Sequence, residues 1–277
     1  MSDATAAAVT DRSPRRRARR QAPLVLLLPA LLGLAFLVVP LAGLLLRAPW
    51  STLPQHLAAP GVLAALRLSL LTASLATIGC VLLGIPLAWL LARVEFPGRR
   101  VVRALVTVPL VLPPVVGGVA LLLVFGRRGL IGSWLDSTFG ITLPFTTAGV
   151  VVAEAFVAMP FLVIAVEGAL RGADSRYEEA AATLGAGRWA VFRRVTLPMV
   201  APGVAAGAVL CWARALGEFG ATITFAGNFP GRTQTMPLAV YLALETDLDA
   251  AIVLSLILLT VSVAILAALR DKWIATS

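Results

Sequence analysis

Apolar residues in this chain come in long unbroken runs, without the alternating or one-faced patterns of a soluble core, and short segments rich in Arg, Gly and Pro separate them. A bilayer crossing takes about 20 mostly apolar residues at 1.5 Å of rise per residue. Runs of that length occupy residues 24–46, 62–92, 104–125, 147–166, 200–225 and 250–269. The pattern therefore predicts an all-α integral membrane protein with six transmembrane helices. Residues 22–270 form one membrane domain, and no segment between the spans is long enough for a soluble one. Composition agrees: 59% of the 277 residues are hydrophobic, 13% are charged and the mean hydropathy is +0.93, outside the range of soluble domains.

The formal charge of +9 would suggest a nucleic-acid partner in a soluble chain. In a membrane protein the position of each charge matters more. With the N-terminus inside, Arg12, Arg15, Arg16, Arg17, Arg19, Arg20, the arginines of 93–103 and 171–194, Arg270 and Lys272 are cytoplasmic. Only Arg47, Arg127, Arg128 and Arg232 then lie outside. The positive-inside bias thus predicts cytoplasmic N- and C-termini, a lipid bilayer as the surrounding partner and no nucleic acid. Residues 1–21, with no periodic apolar face, are expected to be a disordered basic tail, and 271–277 a cytoplasmic C-terminal tail. The run 24–46 is longer than the 7–15 residues of a signal-peptide core and lacks a small-residue cleavage site, so it reads as an uncleaved first span.

Catalytic chemistry finds few carriers. Cys80 and Cys211 each sit in an apolar run with no second sulfur nearby in sequence, and His56, the only histidine, lies in a Pro-flanked outside loop. No metal site or bound cofactor is expected. No Gly-rich loop ending in Lys-Ser/Thr is present, so ATP chemistry belongs to another polypeptide.

The segment 172–199 combines charge with helix punctuation. Ser175 and Glu178 have capping-box spacing, which predicts a helix start there. Tyr177, Ala180, Ala181 and Leu184 form a small apolar face until Gly185 and Gly187 break the helix. Trp189, Phe192 and Val195 form a second stripe before Pro198. The expected shape is a helix–Gly–helix elbow. Glu179-Ala180-Ala181, three residues, Gly185, nine residues, then Val195-Thr196-Leu197-Pro198 resembles the EAA loop of bacterial ABC importer permeases, with Val195 where that family has Ile. The resemblance implies a type I ABC importer permease bundle in a bacterial plasma (inner) membrane, a transport subunit and not an enzyme. It implies that Glu178, Glu179, Ala180, Ala181, Gly185, Leu197 and Pro198 couple to a separate ATPase. It further implies a second copy of the chain, two ATP-binding cassette subunits carrying ATP-Mg, and an extracytoplasmic substrate-binding protein.

Two runs are interrupted in the manner of a transport path. Pro109, Pro113, Pro114, Gly117 and Gly118 break the third; Gly217, Gly220 and Gly227 loosen the end of the fifth. Pro113, Pro114, Gly117, Arg214, Gly217, Glu218, Gly220 and Thr222 are candidates for the path or its gate. Close helix packing through small residues is the competing account of the glycines. Arg214 and Glu218, four apart, share a helix face as an ion pair or gate element, and Glu154 faces either the path or another span. The stretch from Arg214-Ala215-Leu216-Gly217-Glu218-Phe219-Gly220-Ala221 through Asn228 and Thr235 to Tyr241 resembles molybdate permease subunits and, less closely, sulfate/thiosulfate permeases. The first part is common to both oxyanion groups, and residues 228–235 lean towards molybdate or tungstate. A secondary transporter would need buried acids for coupling ions and an internal repeat, and a membrane enzyme would need a catalytic cluster. The sequence has few buried acids, no apparent repeat and no catalytic cluster.

Overall fold

The computed structural model describes residues 24–274. The expected basic tail of residues 1–21 lies outside them, as do residues 275–277. Among the described residues all regular structure is helical: α1 (Leu24–Leu46), α2 (Leu53–Leu57), α3 (Pro60–Arg93), α4 (Arg99–Val111), α5 (Pro114–Phe125), α6 (Gly132–Phe139), α7 (Thr147–Gly172), α8 (Arg176–Thr183), α9 (Arg188–Val191), a π-helical turn (Phe192–Thr196), α10 (Leu197–Leu216), α11 (Gly220–Phe225), α12 (Met236–Thr246) and α13 (Leu248–Ile274). The chain divides into two units, residues 1–46 and 47–277. In the first, α1 is an apolar helix containing Pro29 and Pro40.

Five helical stretches are long and apolar enough to cross a bilayer, and six if α4 and α5 count as one broken span. The third run is interrupted, as its prolines predict, and the two helices meet at 118°. The cause is the Leu112-Pro113-Pro114 sequence. A residue before proline is pushed out of the helical region, and Leu112 and Pro113 accordingly take ψ of 129° and 132°. The fifth run likewise stops being one helix at Leu216, and α11 continues it only after a break at 217–219. Helices α6 and α12 occupy segments expected to be outside loops, and α13 runs on into the expected C-terminal tail.

In the second unit α7 packs against both α3 and α10, and the three share one buried cluster. Hydrocarbon offers no hydrophobic drive for such packing, so small residues let the backbones meet. A Cβ on Gly203 would fall 2.3 Å from that of Ala169, and one on Gly207 3.0 Å from that of Ala165. Cys80 on α3 and Cys211 on α10 are both fully buried in this cluster, with their thiols adjacent. The expectation that neither has a sulfur neighbour is thereby corrected. Residues far apart in sequence meet when their helices pack, and spacing along the chain cannot report that.

Candidate functional site

The elbow forms as the residues predict, with a different start. Ser175 is itself helical (φ −65°, ψ −16°), so its hydroxyl cannot reach the first free amides, and it donates to Glu179 Oε1 at 3.3 Å. The capping box is therefore not made. Asp174 takes over, its Oδ1 accepting from the Arg176 amide at 3.0 Å. The other end is a Schellman closure, with Gly185 N–H donating to Ala182 O (3.0 Å) and Ala186 N–H to Ala181 O (3.1 Å). Gly185 takes φ +87°, a conformation that strains any residue with a Cβ. The chain then returns through α9 and the π turn into α10.

On its outer side the elbow leaves apolar surface exposed: Tyr177 is 64% exposed, Leu184 88% and Trp189 70%. Glu179, Ala180, Gly185 and Pro198 are exposed with them, while Ala181 and Leu197 are half-buried. Trp189 stacks on Phe192 at 5.6 Å, and Phe192 meets Trp89 of α3 edge-on at 6.2 Å. Glu178 is turned the other way. Its Oε1 accepts from Arg93 Nη2 at 3.1 Å and from the Thr196 hydroxyl at 3.0 Å. Nearby, Glu167 accepts from Arg103 Nη2 at 2.8 Å and from Arg171 Nη2 at 2.6 Å. In sequence Arg93 and Arg103 register only as inside-loop charge. Their partners lie 85 and 64 positions away, which no local pattern reveals.

The interrupted spans come together as a second region. A Cβ on Gly118 would lie 2.9 Å from Ala221 O and 2.7 Å from Thr224 Cβ, and one on Gly220 3.0 Å from Pro114 Cβ. Pro114 and Gly220 thus meet where the start of α5 crosses α11, while Gly117 faces Phe156 of α7 and Thr222 is buried on α11. Pro113 stands exposed at the α4–α5 corner, beside a recess of about 390 Å³ that Thr107, Val108 and Val111 also line. Gly217 is exposed at the end of α10 and no steric contact requires a glycine there.

Arg214 and Glu218 form the ion pair that their spacing predicts, Nη2 to Oε2 at 2.6 Å. The other Glu218 oxygen accepts from the Ala221 amide at 2.8 Å, which fastens the start of α11 to the end of α10. Glu154 pairs with another span, accepting from the Thr72 hydroxyl of α3 at 2.9 Å. In the segment 228–235, residues 229–232 are exposed while Thr233, Gln234 and Thr235 are buried, and the Met236 amide donates to Ser69 Oγ at 2.7 Å. Ser69 and Thr72 carry no signal in the sequence, since isolated hydroxyls in an apolar run look like ordinary helix residues.

Residues 84–276 match the family described as binding-protein-dependent transport system inner membrane component. The chain is 51% identical to the molybdenum transport system permease protein ModB of Mycobacterium tuberculosis, over 85% of this chain and 89% of that protein. It is 46% identical to the protein of the same name from Escherichia coli K12, over 76% and 92%. Identity to the sulfate transport system permease protein CysT of E. coli K12 is 39%, over 88% and 85%. Its fold resembles a subunit in the crystal structure of a bacterial ABC transporter that imports the acidic polysaccharide alginate (TM-score 0.74, 18% identity, 90% and 93% covered). A second structure of an alginate transporter, in complex with a substrate-bound periplasmic protein, matches similarly (TM-score 0.73, 19% identity, 89% and 92% covered).

Proposed function

Because this chain belongs to the family of binding-protein-dependent transport system inner membrane components, we propose that it forms the translocation path of an ATP-driven molybdate importer and couples that path to a separate ATPase. The chain is a multi-pass membrane protein and a transport subunit, not an enzyme. The observation that carries the coupling half is the elbow itself. Tyr177 on the short, capped α8, Leu184 at its end and Trp189 on α9 stand largely exposed beside exposed Glu179. Exposed aromatic and aliphatic side chains gathered at one spot mark a protein contact. In this reading Glu179, Ala180, Ala181, Gly185, Leu197 and Pro198 line the ATPase contact, on the cytoplasmic side, with both termini on that side.

The assembly has two copies of this chain, two ATPase subunits holding ATP-Mg, and an external binding protein that delivers the anion. Closure of the ATPase pair pushes the two elbows together. The push reaches the bundle through α8 and α10, and the α5–α11 contact with Pro114, Gly117, Gly220 and Thr222 is the part that parts or closes the path. The Arg214–Glu218 pair holds the end of α10 in register with α11 during that movement. Molybdate is preferred over sulfate as cargo because identity to the molybdenum permeases exceeds identity to the sulfate permease, over a comparable share of the chain.

The test is uptake into vesicles holding this chain with its ATPase subunit, supplied with the binding protein and internal ATP. Radiolabelled molybdate should accumulate, and tenfold excess sulfate should not compete. ATP-driven sulfate uptake that molybdate fails to inhibit would overturn the cargo and leave the coupling. Accumulation without ATP, driven by an ion gradient, would overturn both.

A further inference from the structure

We propose that the two adjacent glutamates of the elbow do different work: Glu179 faces the ATPase, whereas Glu178 is a positioning residue that, with Arg93 and Thr196, locks α8 to the ends of α3 and α10. The inference rests on the importer reading above and deepens it. Helix α8 is otherwise attached through two compliant joints. One is the extended backbone at Ala173 (ψ 135°), and the other is Gly185 in its left-handed conformation. A short helix hung between such joints would swivel under load, and the load would not reach the spans.

Glu178 removes that freedom. One carboxylate oxygen receives donors from two separate elements, Arg93 at the end of α3 and Thr196 at the foot of α10. Arg93 Nη2 also lies 3.5 Å from the carbonyl oxygen of Ala173, at the end of α7. The clamp thus joins α3, α7, α8 and α10 at one point. The Arg93 and Glu178 side chains are each only 18% exposed, so bulk water screens the pair weakly. Thr196 is fully buried and closes the π turn, in which Leu197 N–H bonds back to Phe192 O. Single π turns widen a helix by one residue and concentrate at functional sites. Here the widened turn ends on the hydroxyl that meets Glu178. Glu179, one position on, is exposed and accepts from the Ser175 hydroxyl.

The experiment uses the complete complex in vesicles and reads two quantities: ATPase subunit retained on purification, and ATP hydrolysed per anion taken up. Glu178→Ala and Arg93→Ala should retain the ATPase subunit but raise the ATP-per-anion ratio by about threefold or more, the scale expected when one coupling contact is lost. The exchange Arg93→Glu with Glu178→Arg should return the ratio to within about twofold of the unmodified complex, as a true pair does in a double-mutant cycle. Glu179→Ala should weaken ATPase retention without changing the ratio in complexes that form. An unchanged ratio in Glu178→Ala, or loss of the ATPase subunit equal to that in Glu179→Ala, would overturn the clamp. Should the single variants fail to insert, the exchange variant carries the test, and an inserted but uncoupled exchange variant overturns it. Failure of the unmodified complex to show ATP-driven uptake strikes the importer reading instead, so the two failures are told apart.

Discussion

The α5–α11 contact is built on the absence of one methyl group, so Gly118→Ala tests it directly. A Cβ at residue 118 would stand 2.7 Å from Thr224 Cβ, 2.9 Å from Ala221 O and 3.1 Å from Ala221 Cα. Two of these neighbours are backbone and the third is a Cβ fixed to it, so no side chain can rotate away. Carbon contacts are comfortable near 3.5–4.0 Å, so the helices must part by about 1 Å. Overpacking of this kind costs about 1–3 kcal/mol. At about 2–4 °C per kcal/mol for a chain of this size, the melting midpoint of the detergent-solubilised protein should fall by several degrees. Gly79→Ala is the control, because a Cβ there meets nothing within 4 Å. On α3 it should be neutral or stabilising by up to about 1 kcal/mol through helix propensity. Vesicle uptake should fall in Gly118→Ala and not in Gly79→Ala. Equal melting midpoints for the two variants would refute the claim that α5 and α11 are in obligatory contact.

Three further outcomes follow from the same geometry. Arg214→Met strands the fully buried Glu218 carboxylate without its cation and should cost about 3–5 kcal/mol, with most of the loss recovered in Arg214→Met/Glu218→Gln; thermal melts of the three variants check this. Ser69→Ala leaves the buried Met236 amide without its acceptor and should destabilise by about 1–3 kcal/mol, whereas Ser69→Thr, which keeps a hydroxyl, should lose less. Gly185→Ala meets no steric obstacle but must hold φ +87°, so it should cost about 1–2 kcal/mol of backbone strain, seen as faster proteolysis of the 172–199 segment.

The division of labour within the elbow illustrates what a sequence can carry. Its glycine break and its apolar stripes were legible because helix stops and helical spacing are local properties. Its first turn was read with the right boundary and the wrong device. Spacing suggested that Ser175 and Glu178 cap each other, but Glu178 has stronger partners in Arg93 and Thr196, and these arrive from elsewhere in the fold. Arg214 and Glu218 were paired correctly because four residues along one helix is a local relation too. The break in the third span was legible in Pro113 and Pro114, because a proline acts on its own residue and the one before it. The 118° at which its two halves meet was not, because hydropathy sums over residues and is blind to direction.

By itself the sequence determined that the chain lives in a bilayer, where its crossings fall, and that a charged, glycine-broken elbow interrupts them. Each of these follows from transfer free energy or backbone preference over a window of about 20 residues or fewer. The tertiary structure alone decided that Cys80 faces Cys211, that Glu154 finds Thr72, that Thr233, Gln234 and Thr235 are buried, and that Glu178 turns away from the surface Glu179 occupies. These are contacts between helices, made where small residues permit close approach. The order of residues along one helix does not specify the rotation and depth at which it meets another.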